Sequence, residues 1–244
     1  MLDYNHQPTQ AEKVNELIDA GMIAAQEKSV ARDYLGASLV GESCSRKIQY
    51  QYFNTPRDDD KPLPAQTLRI FKRGHVFETV VAEWLREAGF DLVTEKADGR
   101  QFGFALAGGK IKGHADGVVR RGPDGFAYPM LWENKALGSK SWKELEKHKL
   151  AIAKPVYAAQ VALYQAYLDL HQHPALFTAL NTDTMQIYVE LVPFDAALAQ
   201  QSSDKAVAII RACDAGEILP RISKDRNWFE CKWCPWADRC WRDA

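Results

Sequence analysis

The chain has 244 residues, 46% of them hydrophobic and 26% charged, with a formal net charge of −1. That length and apolar share bury a substantial core and exclude a disordered polymer. Near-neutrality excludes a general polycation that coats nucleic acid, so any phosphate-binding surface must be local. No apolar run approaches the length of a membrane span, and the polar residues 1–6 lack a signal-peptide pattern, which predicts a soluble, intracellular (cytoplasmic) protein with no membrane partner. Five cysteines in such a chain point to ligands or buried thiols rather than disulfides.

Residues 9–27 carry Val14, Leu17, Ile18, Met22 and Ile23 at helical spacing and predict an amphipathic helix packed by its apolar stripe. Ser43 is placed to cap a short helix that presents Cys44 in its first turn, where a helix N-terminus lowers a thiol's pKa. Residues 54–65, with Asn-Thr-Pro, three successive Asp and two further Pro, read as an exposed loop. A helix over 66–88, closed by Gly89, follows from Leu68, Phe71, Val76, Val80, Val81, Trp84 and Leu85. Gly74 inside it costs about 1 kcal/mol relative to Ala, which predicts close backbone approach there. His75 and Glu78, three apart, share a face from which both reach a metal ion, with Arg69, Lys72 and Arg73 adding positive charge.

Strands over 90–96 and 101–106 lead into the centre of the chain, residues 113–135. Here Val118 and Val119 precede Gly122-Pro123-Asp124-Gly125, a hairpin signal, and Phe126, Tyr128, Met130, Leu131 and Trp132 follow it. A two-residue loop at Asp124-Gly125 sets Asp116 directly against Glu133; a type I turn with a bulge needs a compensating irregularity to do the same. Glu133 and Lys135 point the same way because side chains alternate along a strand. Two carboxylates and an ammonium at one spot suit a hard cation, Mg²⁺ or Mn²⁺, bridging to phosphate. Phosphodiester cleavage needs an activated water and a counter-charge, which carboxylate-held metal supplies while Lys135 orients or deprotonates the water. Alone, D…E-x-K also describes an ordinary surface hairpin.

Residues 140–150 read as a charged, exposed helix, and Pro155 opens another to about residue 170. On it Gln160 and Tyr164 lie one turn apart, flanked by Tyr157 and Tyr167, placed to position Lys135 and touch a nucleotide. Strands over 176–181 and 185–192 precede a helix over 196–216, in which Cys213 reads as a core thiol. The tail spaces three thiols as Cys231-x2-Cys234-x5-Cys240, and Cys44 is the candidate fourth ligand. Four thiolates hold a [4Fe-4S] cluster or a zinc ion. Arg221, Lys224, Arg226, Lys232, Arg239 and Arg242 offset a cluster's negative charge, and Trp228, Trp233, Trp236 and Trp241 shield it or stack bases. Ligands from both ends of the chain make such a group a clasp whose binding energy counts toward folding.

Together these residues resemble the RecB-like branch of the PD-(D/E)xK nuclease superfamily, in particular the CRISPR-associated and phage-encoded nucleases with a four-cysteine iron–sulfur cluster. Gly113-x-x-Asp116, Glu133-x-Lys135, Gln160-x-x-x-Tyr164, Cys44-Ser45-Arg46-Lys47 and the tail cysteines occur in the family's order. The resemblance implies an α/β fold with a restriction-endonuclease-like central mixed β-sheet flanked by helices. It implies a helical N-terminal region over 1–65 that supplies one cluster ligand, a nuclease core over 66–216 and a cysteine segment over 217–244. It further implies metal-dependent DNA hydrolysis, often from a single strand or duplex end, in company with recombination, repair or CRISPR-adaptation proteins. Metal falls to Asp116, Glu133 and a helical residue. Many members place His four after the helical glycine, whereas here that position is Glu78 and His75 adjoins Gly74, so Glu78 is the expected ligand with His75 as alternative. A catalytically silent DNA-binding adaptor of the same fold is the competing function.

Overall fold

The structure, a computed structural model, describes residues 7–59 and 63–242. Residues 1–6, read above as a start without a leader, and residues 60–62 of the exposed loop lie outside the described residues. The described strands form two mixed sheets where one was expected. The larger runs β2 (Leu92–Val93), β5 (Gly117–Val119), β6 (Met130–Leu137), β7 (Ala175–Asn181), β8 (Ile187–Val192). Within this sheet, among the described strands, only β6 and β7 pair in parallel, because the chain between them makes the long crossover a parallel pair requires, through α4 (Ser139–Ala153) and α5 (Pro155–Tyr167). A smaller sheet places β4 (Ile111–His114) between β1 (Leu35–Gly36) and β3 (Gly103–Leu106).

Helices cover both faces of the larger sheet, and alternation along β6 sorts its side chains between them. Met130 and Trp132 pack against Val81, Ala82 and Leu85 of α3 (Ala65–Glu87). Leu131 and Leu137 join the other layer, with Val161 and Leu163 of α5 and Ile209 and Ile210 of α6 (Ala196–Asp214). Residues 133 and 135 share the phase of 131 and 137, so Glu133 and Lys135 point toward α5.

The β5–β6 register is the expected one, with Gly117 opposite Trp132 and Val119 opposite Met130. The turn differs. Residues 120–129 form a wide loop with a cis Tyr128–Pro129 bond, not a two-residue hairpin. Arg120 and Arg121 continue their main-chain pairing with Asp91, which also holds both guanidinium groups, so the strands part before a tight turn closes.

Three further expectations are corrected. Helix α1 (Gln10–Glu27) has a complete capping box at Thr9 and Glu12, yet buries none of its residues; Leu17 is 72% exposed, with Val14 and Ile18 also in solvent. It lies along the outside of α3, tied by an Arg69–Asp19 ion pair, because α3 turns its apolar face to the sheet. Ser43 caps nothing: Cys44 is the N-cap residue of α2 (Ser45–Tyr52), and the Ser43 hydroxyl is drawn to Glu230. Gly74 admits no close neighbour, since a Cβ there meets nothing within 4 Å.

The ends of the described chain are joined directly. Gln49 donates to the Glu217 carbonyl and accepts from the Leu219 N–H, and Arg46 donates to the Leu219 and Cys240 carbonyls. Trp236 donates its indole N–H to the Thr55 carbonyl. Asp58 accepts from the Asp238 and Arg239 N–H groups at the start of α8 (Ala237–Arg242), a placement favoured by the helix dipole.

The close approach attributed to Gly74 occurs instead at Gly113 of β4, where a Cβ would lie 2.5 Å from the Phe104 ring and 2.8 Å from the Tyr164 ring. Gly113→Ala is expected to destabilise the fold by about 1–3 kcal/mol through overpacking. Gly74→Ala is expected to stabilise it by up to about 1 kcal/mol. Thermal unfolding of the two variants reads the contrast, and equal midpoints would contradict the packing.

Candidate active site

Asp116 occupies the bend between β4 and β5, one step before strand pairing resumes. Its Oδ2 accepts the Asn134 main-chain N–H at 2.7 Å, so the side chain occupies a hydrogen-bonding position on β6. Beside it, fully buried Glu133 turns toward α5. Glu133 Oε1 accepts from both Lys135 Nζ and Gln160 Nε2, the latter at 2.6 Å. Glu133 Oε2 is buried with no hydrogen-bond partner. An orphaned carboxylate oxygen in the interior costs several kcal/mol of lost solvation unless a cation or donor meets it.

The charges describe the same strain. Burial, then repulsion from Asp116, raises the Glu133 pKa to about 8 against the pull of Lys135. Burial and Asp116 also raise Glu78 to about 7, and burial raises Asp116 despite Lys135 and the Asn134 hydrogen bond. Burial alone would lower the Lys135 pKa, but the charges of Glu133 and Asp116 outweigh it and hold the side chain as ammonium. As placed, Lys135 is a proton donor to Glu133 and not a free base, with the Tyr157 ring 5.1 Å from its nitrogen. Burial and the neighbouring carboxylates keep Tyr164 a neutral phenol, and its hydroxyl is also hydrogen-bonded by the His114 main chain.

The structure therefore brings together Glu78, Asp116, Glu133, Lys135, Gln160 and Tyr164. His75 stands at the exposed edge of this group, close enough for its charge to act on Asp116. The Glu78 side chain is 26% exposed and electrostatically coupled to Asp116, Glu133 and Lys135, whereas the His75 side chain, 3.7 Å from Glu78, is 77% exposed. Sequence reading missed Asn134, the middle residue of Glu-x-Lys. Its main chain holds Asp116 while its side chain accepts from Thr178 at 2.8 Å, and Thr178 accepts from the Trp132 indole at 3.0 Å. The available signal was a polar residue at each of two buried strand positions, 134 and 178.

The donor set suits a hard cation: it is all oxygen, it carries more negative charge than Lys135 balances, and one oxygen is orphaned. Among the described residues no three His, Cys, Asp or Glu side chains are gathered tightly enough to surround one ion.

All five cysteines are free. Cys44, Cys231, Cys234 and Cys240 line one cavity of about 470 Å³, bordered by Arg46, Lys47 and Trp241. Burial raises the Cys231 and Cys234 thiols, with Cys44 and Cys240 adding to the rise in each. Cys213 lies elsewhere, in the core, as expected. The tryptophans divide: Trp236 is buried, Trp241 carries Arg221 on its ring at 4.5 Å, and Trp233 stands 79% exposed at the cavity rim. Trp228 stacks on Phe229 and does not line the cavity, so it shields nothing there.

No family model and no curated protein matches the sequence. Among solved structures, the crystal structure of SSO0001 aligns with 93% of this chain and 96% of its own, at a TM-score of 0.50 and 16% identity. The crystal structure of LHK-Exo, an alkaline exonuclease from Laribacter hongkongensis, in complex with dAMP aligns with 81% of this chain and 93% of its own, at a TM-score of 0.51 and 16% identity. At that identity the likeness is one of fold: the chain shares an α/β architecture of mixed sheet and flanking helices with an exonuclease.

Proposed function

We propose that the protein is a metal-dependent DNA nuclease that hydrolyses phosphodiester bonds, acting on single strands or duplex ends. The observation that carries this reading is the buried, partnerless Glu133 Oε2 beside Asp116 and Glu78, with Lys135 at the opposite oxygen. A fold shared with an exonuclease supports it. Glu78, Asp116 and Glu133 would hold Mg²⁺ or Mn²⁺, with Glu78 preferred to His75. When bound, such an ion acidifies a water molecule and neutralises phosphate charge. Lys135 keeps a positive charge in the site that opposes the charge developing on the phosphate. Gln160 fixes the Glu133 carboxylate through one oxygen and leaves the other free, and the neutral Tyr164 phenol closes the side of the site under β4.

The four cavity cysteines would hold a [4Fe-4S] cluster. A single zinc on the same four thiolates is the alternative. The cluster would reinforce the hydrogen bonds that already join residues 46–58 to 217–240.

Asp116→Asn should remove hydrolysis of end-labelled single- and double-stranded DNA in both Mg²⁺ and Mn²⁺. It should also raise the metal-free melting temperature by about 2–4 °C for each 1 kcal/mol of repulsion relieved. Retained cleavage in Mn²⁺ would overturn the assignment. Gln160→Ala should slow cleavage by roughly 10–100-fold, as expected for a group that orients a ligand. His75→Ala should leave activity near wild type while Glu78→Gln loses most of it; the reverse order would move the ligand to His75.

Protein purified without oxygen should be brown, with iron and visible absorption lost in Cys240→Ser and kept in Cys213→Ser. A colourless protein carrying one zinc would replace the cluster with zinc.

A further inference from the structure

The outer face of the small sheet carries a cluster that the site above does not use. Along β4, Ile111 and Gly113 are buried while Lys112 and His114 point outward. Opposite them the register places only small residues: Gly36 beside Lys112 on β1, and Ala105 and Gly103 beside Lys112 and His114 on β3. The result is a low floor with cationic walls. A Cβ on Gly103 would lie 3.0 Å from the His114 ring, and one on Gly36 would lie 3.5 Å from the Arg32 guanidinium. Lys112 Nζ and the Arg32 guanidinium sit 4.5 Å and 5.8 Å from the centroid of a single ring, Tyr34, and His114 meets that ring edge-on.

Two cations gathered on one aromatic ring repel each other, and the ring recovers only part of that cost. Among the described residues neither Arg32 nor Lys112 has a carboxylate within ion-pair distance, whereas nearby Arg100 is neutralised by Asp98. An adjoining cavity of about 390 Å³ runs past Lys96, Gln101, Gly103, Ala105, Lys112 and His114. His114, which lines it, ends β4 two residues before Asp116, which sits in the bend that follows. In a chain of net charge −1, a local concentration of unpaired cations leading to a phosphodiester-cleaving site is a placed feature and not a by-product of composition.

We propose that this face is the track of a single nucleic-acid strand, with Arg32 and Lys112, held over Tyr34, gripping its backbone phosphates beside the Asp116 site. The inference rests on the nuclease reading and names the form in which substrate arrives. Phosphate-binding side chains of this kind fix a strand's position and carry no sequence preference.

The test is binding of a fluorescein-labelled oligothymidylate by anisotropy in EDTA, where no turnover occurs, over a series of salt concentrations. Arg32→Ala/Lys112→Ala should raise Kd by roughly tenfold and flatten the salt dependence by about 1.4 log units per log unit of salt, about 0.7 for each phosphate that is no longer neutralised. Lys112→Gln alone should give about half that change in slope, and covers the case in which the double variant does not fold. Lys13→Ala, an exposed cation on α1, should change neither. Unchanged binding in the track variants, an equal loss in Lys13→Ala, or no binding by the wild-type chain would each overturn the track. An inactive protein whose binding still depends on Arg32 and Lys112 would sink the nuclease reading alone; an active one whose binding ignores them would sink the track alone.

Discussion

The hydrogen bond from the Asn134 main chain to the Asp116 carboxylate links the body of this protein to its chemistry. It joins a residue outside the strands to the middle of a buried strand, and its position follows from the β5–β6 register. A slip of one residue would turn Glu133 and Lys135 away from α5 and leave Asp116 facing a side chain of the wrong phase. The register is held from both sides. Trp132, Met130 and Val119 are locked beneath α3, while Leu131 and Leu137 are locked beneath α5 and α6. A strand buried on both faces cannot slide without exposing one set of side chains and burying charges in place of the other.

That rigidity permits electrostatic strain. Three carboxylates and one ammonium share the site, and burial and mutual repulsion raise the acids. An isolated arrangement of this kind would relax by moving apart. Here Gln160, Asn134 and the buried Trp132–Thr178–Asn134 chain fix the positions, so stability is given up locally and made good by the surrounding core. A site whose acids are held from ionising and whose one carboxylate oxygen is orphaned would be relieved by a cation, and that cation's charge would in turn attract phosphate.

The cysteine cavity and the small sheet extend the same principle to either side. At the cavity, direct hydrogen bonds hold the two chain segments near one another before any group is bound, so four thiols from opposite ends of the sequence face one space. On the small sheet, glycines at 36, 103 and 113 let side chains lie flat: cations on the outer face, and the Phe104 and Tyr164 rings on the inner face. Gly113 thus serves the catalytic end of β4 by allowing Tyr164 to reach it.

The sequence by itself determined the order of the main helices and strands, the shared phase of Glu133 and Lys135, the shared helix face of Gln160 and Tyr164, and the close spacing of Cys231, Cys234 and Cys240. Each of these is local spacing, or alternation along a single element. Only the tertiary structure decided the second sheet, the wide loop at 120–129, the exposure of α1, the meeting of Asp116 with β6 beside Glu133, and the gathering of Cys44 with the tail cysteines. Those outcomes turn on which surfaces compete for a neighbour. Asp91 claims Arg120 and Arg121 and opens the turn, α3 gives its apolar face to the sheet and leaves α1 outside, and two residues on one helix face differ in burial, Glu78 turned in toward the buried acids and His75 turned out to solvent. Periodicity shows which residues share a face; what lies opposite that face is fixed only when distant parts of the chain pack together.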